Sequence, residues 1–249
     1  MVRIPPGIIS ANARRLGVRL AALPVALVAL APLAGCRGRT AGEARVSPSS
    51  TGASHEAARE TRPVADDRPL IVFVGTSLTA GYGIDPDDAF PALVQKKLDA
   101  AGLRYRVINA GVSGETSAGA RRRIDWLLRQ RVAVLVLETG ANDGLRGQDP
   151  GATRENVQAI LDAARRAQPP PKLVLVAMEA LPNYGEDYRR QFRAIFPELA
   201  KRNGATLVPF LLQGVAGDAS LNQADGIHPT AAGHRRVAET VWKALQPIL

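Results

Sequence analysis

The chain has 249 residues, room for one α/β domain with appendages, and its 46% hydrophobic and 22% charged content is that of a globular protein. Aromatic residues make up only 4%, so the core has to be built from aliphatic side chains. The formal charge of +9 is weighted to the start: the first 35 residues hold four Arg and no acid, and the 28 Lys+Arg against 23 Asp+Glu that follow leave +5. No basic run is interleaved with aromatics, so the composition gives no support to nucleic-acid binding.

Residues 1–35 read as a targeting segment. Arg3, Arg14, Arg15 and Arg19 form a basic leader, and the apolar stretch Leu20–Leu33, interrupted by Pro24 and Pro32, is too short for a membrane span. It ends in Leu33-Ala34-Gly35-Cys36, which resembles the signal of bacterial lipoproteins, where the Cys is lipidated and becomes the mature N-terminus. That resemblance implies a lipid anchor on Cys36 and a place at a membrane of the bacterial envelope. Arg37, where an Asp would mark inner-membrane retention in enterobacteria, favours the outer membrane. The residues also fit an ordinary secretory signal that happens to be followed by Cys. Arg14-Arg15 hints at twin-arginine export, but its surroundings match poorly. As the single cysteine, Cys36 has no disulfide partner in the chain and no companions for a thiolate metal site. Residues 36–67, rich in Gly, Ser, Thr, Ala, Arg and Glu without apolar period, read as a disordered tether in which His55 has no expected role.

The folded domain is expected over 68–249. Leu70-Ile71-Val72-Phe73-Val74 reads as a strand buried on both faces, ended by Gly75, with Ser77 two residues on. A hydroxyl just past a buried strand suits a nucleophile, because open α/β sheets keep their ligand crevices at that end. It equally suits a helix cap. A phosphate-binding P-loop is excluded by Leu78-Thr79-Ala80, a dinucleotide fingerprint by the glycine spacing, and the α/β-hydrolase nucleophile elbow by Thr79 in place of its second Gly.

Apolar residues Phe90, Leu93, Val94 and Leu98 then recur at helical spacing up to Gly102. A short strand over 105–109 leads to Gly111-Val112-Ser113-Gly114, followed by a helix over about 117–130 on which Arg121, Arg122 and Arg123 are expected to form a solvated face. Val132–Leu137 is a second buried strand, closed by Thr139-Gly140-Ala141-Asn142-Asp143-Gly144. A helix over about 153–167, a strand over 173–178, the loop Leu181-Pro182-Asn183-Tyr184-Gly185, a helix over about 188–202 and a strand over 206–210 follow. The last loop holds Asp225-Gly226-Ile227-His228-Pro229, and a final helix carries Val237, Val241, Trp242 and Leu245, with His234 expected on its surface. Strict alternation of strand and helix argues a parallel sheet with helices on both faces.

In such a sheet the segments after successive strands share one edge, so Ser77, Gly114, Asn142 and the Asp225/His228 pair can converge. Each has a plainer reading: Gly114 and Asn142 as turn residues, His228 as a cap or a solvated side chain. Taken together, Gly75-Thr76-Ser77-Leu78, Gly111-Val112-Ser113-Gly114-Glu115-Thr116, Gly140-Ala141-Asn142-Asp143-Gly144 and Asp225-Gly226-Ile227-His228-Pro229 resemble the four sequence blocks of the SGNH (GDSL) hydrolases. With Leu181–Gly185 between them, the wording is most similar to the bacterial arylesterase, acyl-CoA thioesterase and lysophospholipase branch. One departure is visible: Thr76 stands where the family usually has Asp.

The resemblance implies a flavodoxin-like three-layer α/β/α sandwich with a mainly parallel central sheet. It implies a serine hydrolase of esters or thioesters of acyl chains, with Ser77 as nucleophile, His228 as base and Asp225 as its orienting carboxylate. Ser77 and Gly114 N–H groups and the Asn142 amide would form the oxyanion hole, and the loop from Met178 to Tyr184 would line an acyl groove. No metal or cofactor is required by that chemistry. Other activities on the same framework are a carbohydrate O-deacetylase, for which exposed aromatics are few, and a non-catalytic lipid-binding lipoprotein of the envelope.

Overall fold

Leu70–Gly75 forms strand β1, and all six of its residues are buried. Burial on both faces follows from its place: β1 pairs in parallel with β2 (Arg106–Gly111) on one side and β3 (Val132–Leu137) on the other. The computed structural model, which describes residues 66–249, continues the sheet through β4 (Lys172–Val176) to β5 (Thr206–Val208), all strands parallel in the order β2-β1-β3-β4-β5. Partly exposed residues fall on the edge strand β2, whereas β1 and β3 are nearly continuous apolar runs, as strands covered on both faces must be. The expected targeting segment, Cys36, the tether up to residue 65 and His55 lie outside the described residues.

The helices are α1 (Ser77–Ala80), α2 (Phe90–Ala100), α3 (Ser117–Leu127), α4 (Ala141–Leu145), α5 (Pro150–Arg166), α6 (Gly185–Asn203) and α7 (Ala231–Leu245). Helix α2 packs against α7, and α5 against both α3 and α6. Right-handed crossovers put these two groups on opposite faces, giving three layers. The strand order reverses between β1 and β3, the position at which open α/β sheets hold ligands. The core is aliphatic as composition requires, with Phe73 edge-on to Phe90 (ring centres 5.6 Å apart) and Phe192 edge-on to Phe196 (5.7 Å) as its aromatic contacts.

Differences from the sequence reading sit at element ends. Helix α5 begins at Pro150, three residues early, because Asp149 caps it by accepting the Gly151 and Ala152 N–H groups and proline suits the first helical position. Strand β5 stops at Val208, because the next ladder bond, to Ala177 O, is made by the Leu211 N–H one residue out of register rather than by Phe210. The Gly140–Gly144 segment is not an open turn but largely the short helix α4.

His234 is a correction of a different kind. Expected on the surface of α7, it is 1% exposed, and its Nδ1 accepts the Phe90 N–H at 3.1 Å. Ala89, the residue before α2, has no side chain that can cap, so His234 supplies the acceptor from the neighbouring helix. Only neutral imidazole can do this, and burial lowers its pKa to about 4.

Because the folded pKa lies below the unfolded value, this contribution is whole above about pH 6.5 and is lost as pH falls towards 4, up to about 3 kcal/mol. His234→Asn offers a non-titrating acceptor at the position of Nδ1. The urea midpoint of the variant should therefore fall less steeply than that of the wild type between pH 6.5 and 4. Parallel curves would show that His234 does not govern acid stability.

Candidate active site

The carboxyl end of β1 enters α1 through Gly75 and Thr76. A Cβ on Gly75 would lie 2.0 Å from Thr79 Oγ1 and 2.6 Å from Glu138 Oε2, so only glycine lets the strand end pack this closely on what lies beneath it. Thr76, not Ser77, is the N-cap of α1: its Oγ1 accepts the Leu78 N–H at 3.3 Å. The Ser77 hydroxyl is thereby left free of capping, which answers the alternative that the sequence left open. Among the described residues the Ser77 N–H donates to no protein acceptor.

The loop after β5 brings its polar groups to the same place. Ser77 Oγ lies 2.9 Å from His228 Nε2, and His228 Nδ1 lies 2.7 Å from Asp225 Oδ2. The other carboxylate oxygen of Asp225 accepts the Ile227 and His228 N–H groups at 3.0 and 3.1 Å. The His228 hydrogen bond first, then these backbone donors, hold the Asp225 carboxyl at a pKa of about 2, so it is ionised and can only accept. The proton between Asp225 and His228 therefore sits on Nδ1, which leaves Nε2 as an acceptor for the Ser77 hydroxyl. The loop is stitched to the β1 side by Gln223, whose Nε2 donates to Tyr82 O at 2.7 Å and to Pro229 O at 3.0 Å. Tyr82 packs on the imidazole with ring centres 4.7 Å apart. His228 does not cap α7; Thr230 does, accepting the Gly233 N–H.

Gly114 and Asn142 complete the expected set. Gly114 has φ +78°, a conformation that favours glycine, and among the described residues its N–H donates to no protein acceptor. Its loop is held from both sides. Val112 N–H donates to Gly75 O at 2.8 Å, the Arg146 guanidinium donates to Gly114 O at 3.1 Å, and Asn142 Nδ2 donates to Glu115 O at 3.0 Å. Asn142 is in the first turn of α4, and one of its two amide hydrogens is committed to Glu115.

Arg123 departs from the expected solvated basic face. Its guanidinium is partly buried, pairs with both Glu115 carboxylate oxygens at 2.6 and 2.8 Å, and donates to Ala110 O at 2.7 Å. Arg121 and Arg122 are exposed as expected. Asp143 is buried and accepts the Ser117 N–H at 2.9 Å and the Ser117 hydroxyl at 2.5 Å, tying α4 to the start of α3.

A cavity of about 280 Å³ opens on Ser77, Asn142 and His228, and Leu145, Met178, Leu181, Phe210, Leu212 and Ile227 give it an apolar wall. Met178–Pro182 line it as the sequence suggested; Tyr184 instead turns its hydroxyl onto Leu145 O at 2.8 Å. The sequence reading missed Tyr82, Arg123, Asp143 and Glu138. Glu138 had the one visible signal, a carboxylate directly following a buried apolar strand. It is fully buried and accepts hydrogen bonds from Thr76 N–H (2.8 Å), the Thr76 hydroxyl (3.0 and 3.1 Å) and the Thr79 hydroxyl (2.8 Å). Burial raises its pKa to about 7 against the opposing effect of these donors.

The parallel sheet order and a Ser–His–Asp chain of hydrogen bonds at the β1/β3 crevice define the class: a hydrolase on a flavodoxin-like three-layer α/β/α fold, distinct from the α/β-hydrolase fold. The model of the GDSL-like Lipase/Acylhydrolase family matches residues 73–236, and the chain belongs to that family. It is 40% identical over 180 residues to "Esterase TesA" of Pseudomonas aeruginosa, covering 72% of this chain and 89% of that one. It is 38% identical over 189 residues to "Thioesterase 1/protease 1/lysophospholipase L1" of Escherichia coli K12, covering 76% and 88%. Among solved structures, the psychrotrophic esterase EstA of Pseudoalteromonas sp. superimposes with a TM-score of 0.68 at 31% identity, covering 72% of this chain and 97% of EstA. The protein is thus an SGNH hydrolase that acts on esters.

Proposed function

We propose that the protein is a lipid-anchored serine esterase and thioesterase of acyl chains, working through an acyl-enzyme on Ser77. The observation that carries this reading is the chain Ser77 Oγ–His228 Nε2 (2.9 Å) and His228 Nδ1–Asp225 Oδ2 (2.7 Å). As Ser77 Oγ bonds to the substrate carbonyl carbon, its proton passes to His228 Nε2, and Asp225 stabilises the imidazolium. The carbonyl oxygen, now carrying the negative charge, is received by the Ser77 and Gly114 N–H groups and the free amide hydrogen of Asn142. The imidazolium then protonates the leaving alcohol or thiol as the carbon–oxygen or carbon–sulfur bond breaks. Water, deprotonated by the same imidazole, releases the acid and restores Ser77. The apolar cavity takes the acyl chain, which the esterase and thioesterase/lysophospholipase names of the relatives favour over a carbohydrate substrate. The tetrapeptide ending in Cys36 supports a lipid anchor that holds the enzyme at the bacterial envelope, with the outer membrane favoured by Arg37.

Ser77→Ala should lower kcat by at least about 10⁴ without changing the melting temperature, and a fluorophosphonate should label the wild type at Ser77. Activity retained in the variant, or a label on another residue, contradicts the assignment. An acyl-length series of p-nitrophenyl and CoA esters would define the preferred chain.

Asn142→Ala should lower kcat by about 10²–10³ with KM nearly unchanged, since the amide meets developing charge mainly in the transition state. Near-normal turnover by the folded variant would remove Asn142 from the oxyanion hole.

Labelled palmitate should enter the full-length protein expressed in a bacterium and be absent from Cys36→Ser. A chain beginning near Arg68 should keep the kcat of the full protein on soluble esters. An unlabelled wild type would exclude the anchor.

A further inference from the structure

Glu138 is a carboxyl group that neither the hydrolytic scheme nor the cavity uses. It is fully buried and does not line the cavity that opens on Ser77, so it cannot touch substrate. An ionisable group in such a place is costly to the fold unless its hydrogen-bonding capacity is filled. Here the donors that fill it all come from one short segment. Oε2 alone accepts the Thr76 N–H, the Thr76 hydroxyl and the Thr79 hydroxyl, at 2.8, 3.0 and 2.8 Å, and Oε1 lies 3.1 Å from the Thr76 hydroxyl. Glu138 is itself fixed by its backbone, whose N–H donates to Val74 O at 2.8 Å in continuation of the β1–β3 ladder.

We infer that Glu138 is a positioning residue for the nucleophile: from the end of β3 it clamps the turn between β1 and α1 and so fixes both Ser77 Oγ and the Ser77 N–H. Thr76 precedes Ser77 and Thr79 follows it by two, so the carboxyl holds the backbone on either side of Ser77 to a single point. Gly75 permits the approach, because any Cβ there would collide with Thr79 Oγ1 and Glu138 Oε2. The Thr76 N–H bond to Glu138 fixes the Gly75–Thr76 peptide, and Thr76 O, accepting the Ala80 N–H at 2.9 Å, fixes the next one, whose N–H, that of Ser77, donates to no protein acceptor among the described residues. The clamp acts through acceptor geometry. Its benefit appears where the oxyanion and the attacking oxygen must be placed together, which is the transition state more than the bound ester. This inference rests on Ser77 being the nucleophile.

The test compares Glu138→Leu, Glu138→Gln and Thr79→Val with the wild type, reading kcat, KM, melting temperature and the rate of fluorophosphonate labelling. Leu removes every acceptor at similar size, and kcat and labelling rate should both fall about 10²-fold in folded protein while KM stays within about two-fold. Gln can place its carbonyl oxygen where Oε2 lies and donate from its amide nitrogen to Thr76 Oγ1, so it should retain kcat within about three-fold. Thr79→Val, a milder change that keeps shape, should lower kcat about three- to ten-fold at constant KM, and it serves if the Leu variant does not fold. Wild-type kcat in folded Glu138→Leu or, where that protein is unfolded, in Thr79→Val overturns the inference. So does a Gln variant as slow as Leu, which would assign the effect to charge. A wild type that fluorophosphonate does not label at Ser77 would overturn the proposed nucleophile and this inference with it. Labelled wild type with unimpaired variants would overturn the clamp alone.

Discussion

Everything at the site depends on the pairing of β1 between β2 and β3. The register sets Gly75 opposite Gly111 on one side and Val74 opposite Leu137 on the other. The residues that follow these pairs are therefore neighbours without further adjustment: Thr76–Ser77 after β1, Val112–Gly114 after β2, Glu138–Asn142 after β3. A slip of one strand would turn its buried side chains to the opposite face and move the polar segment with them. Because β1 and β3 are apolar on both faces, it is the fit of their side chains against the helices of both layers that forbids the slip. The site thus inherits its geometry from the hydrophobic core, and the loops need only local fastening.

That fastening is done by polar side chains that never reach the cavity. The Glu115–Arg123 ion pair fixes the loop after β2, with Arg123 also holding Ala110 O. Asp143 ties α4 to the N-terminus of α3 through Ser117, and Gln223 joins the last loop to the Tyr82 carbonyl. They range from an ion pair eight residues apart to a hydrogen bond spanning 141 residues, and those of Arg123 and Asp143 are partly or wholly removed from water, where such contacts are directional and costly to leave incomplete. Asp225 shows the same economy in an exposed place. One carboxylate oxygen is spent on two backbone N–H groups of its own loop, so the other points at His228 without burial.

The sequence made the strands, the parallel order of elements and the four polar segments legible because each depends on local pattern: apolar runs of five or six residues, then glycine, then a hydroxyl, amide or imidazole. Pattern could not tell Ser77 from a cap. That distinction turned on Thr76 taking the capping role, a contact of single atoms. Nor could it place His234, which stands between Gly233 and Arg235 at the start of α7. Its burial arises from an unmet N–H at the start of α2, about 140 residues away, and no window of sequence contains both. Arg123 was read with Arg121 and Arg122 as one solvated run, but the helix turns by about 100° per residue. Three adjacent arginines cannot share an environment, and the one that faces the β2 loop is the one that pairs.

Thr76, the visible departure from the usual family pattern, becomes intelligible once Glu138 is seen beneath it. A hydroxyl at this position accepts from Leu78 N–H and donates to the Glu138 carboxyl, serving as cap and as link in the same 1%-exposed site. A carboxylate there could cap equally well, but it would face Glu138 with like charge, and two buried carboxyls in contact cannot both ionise. One of them would have to keep a proton to bridge the pair. Threonine meets both hydrogen-bonding demands without a second titrating group, so Glu138 is the one carboxyl in the turn's support. Above this support Ser77 Oγ lies 2.9 Å from His228 Nε2, so the departure from the family pattern falls in the turn beneath the nucleophile.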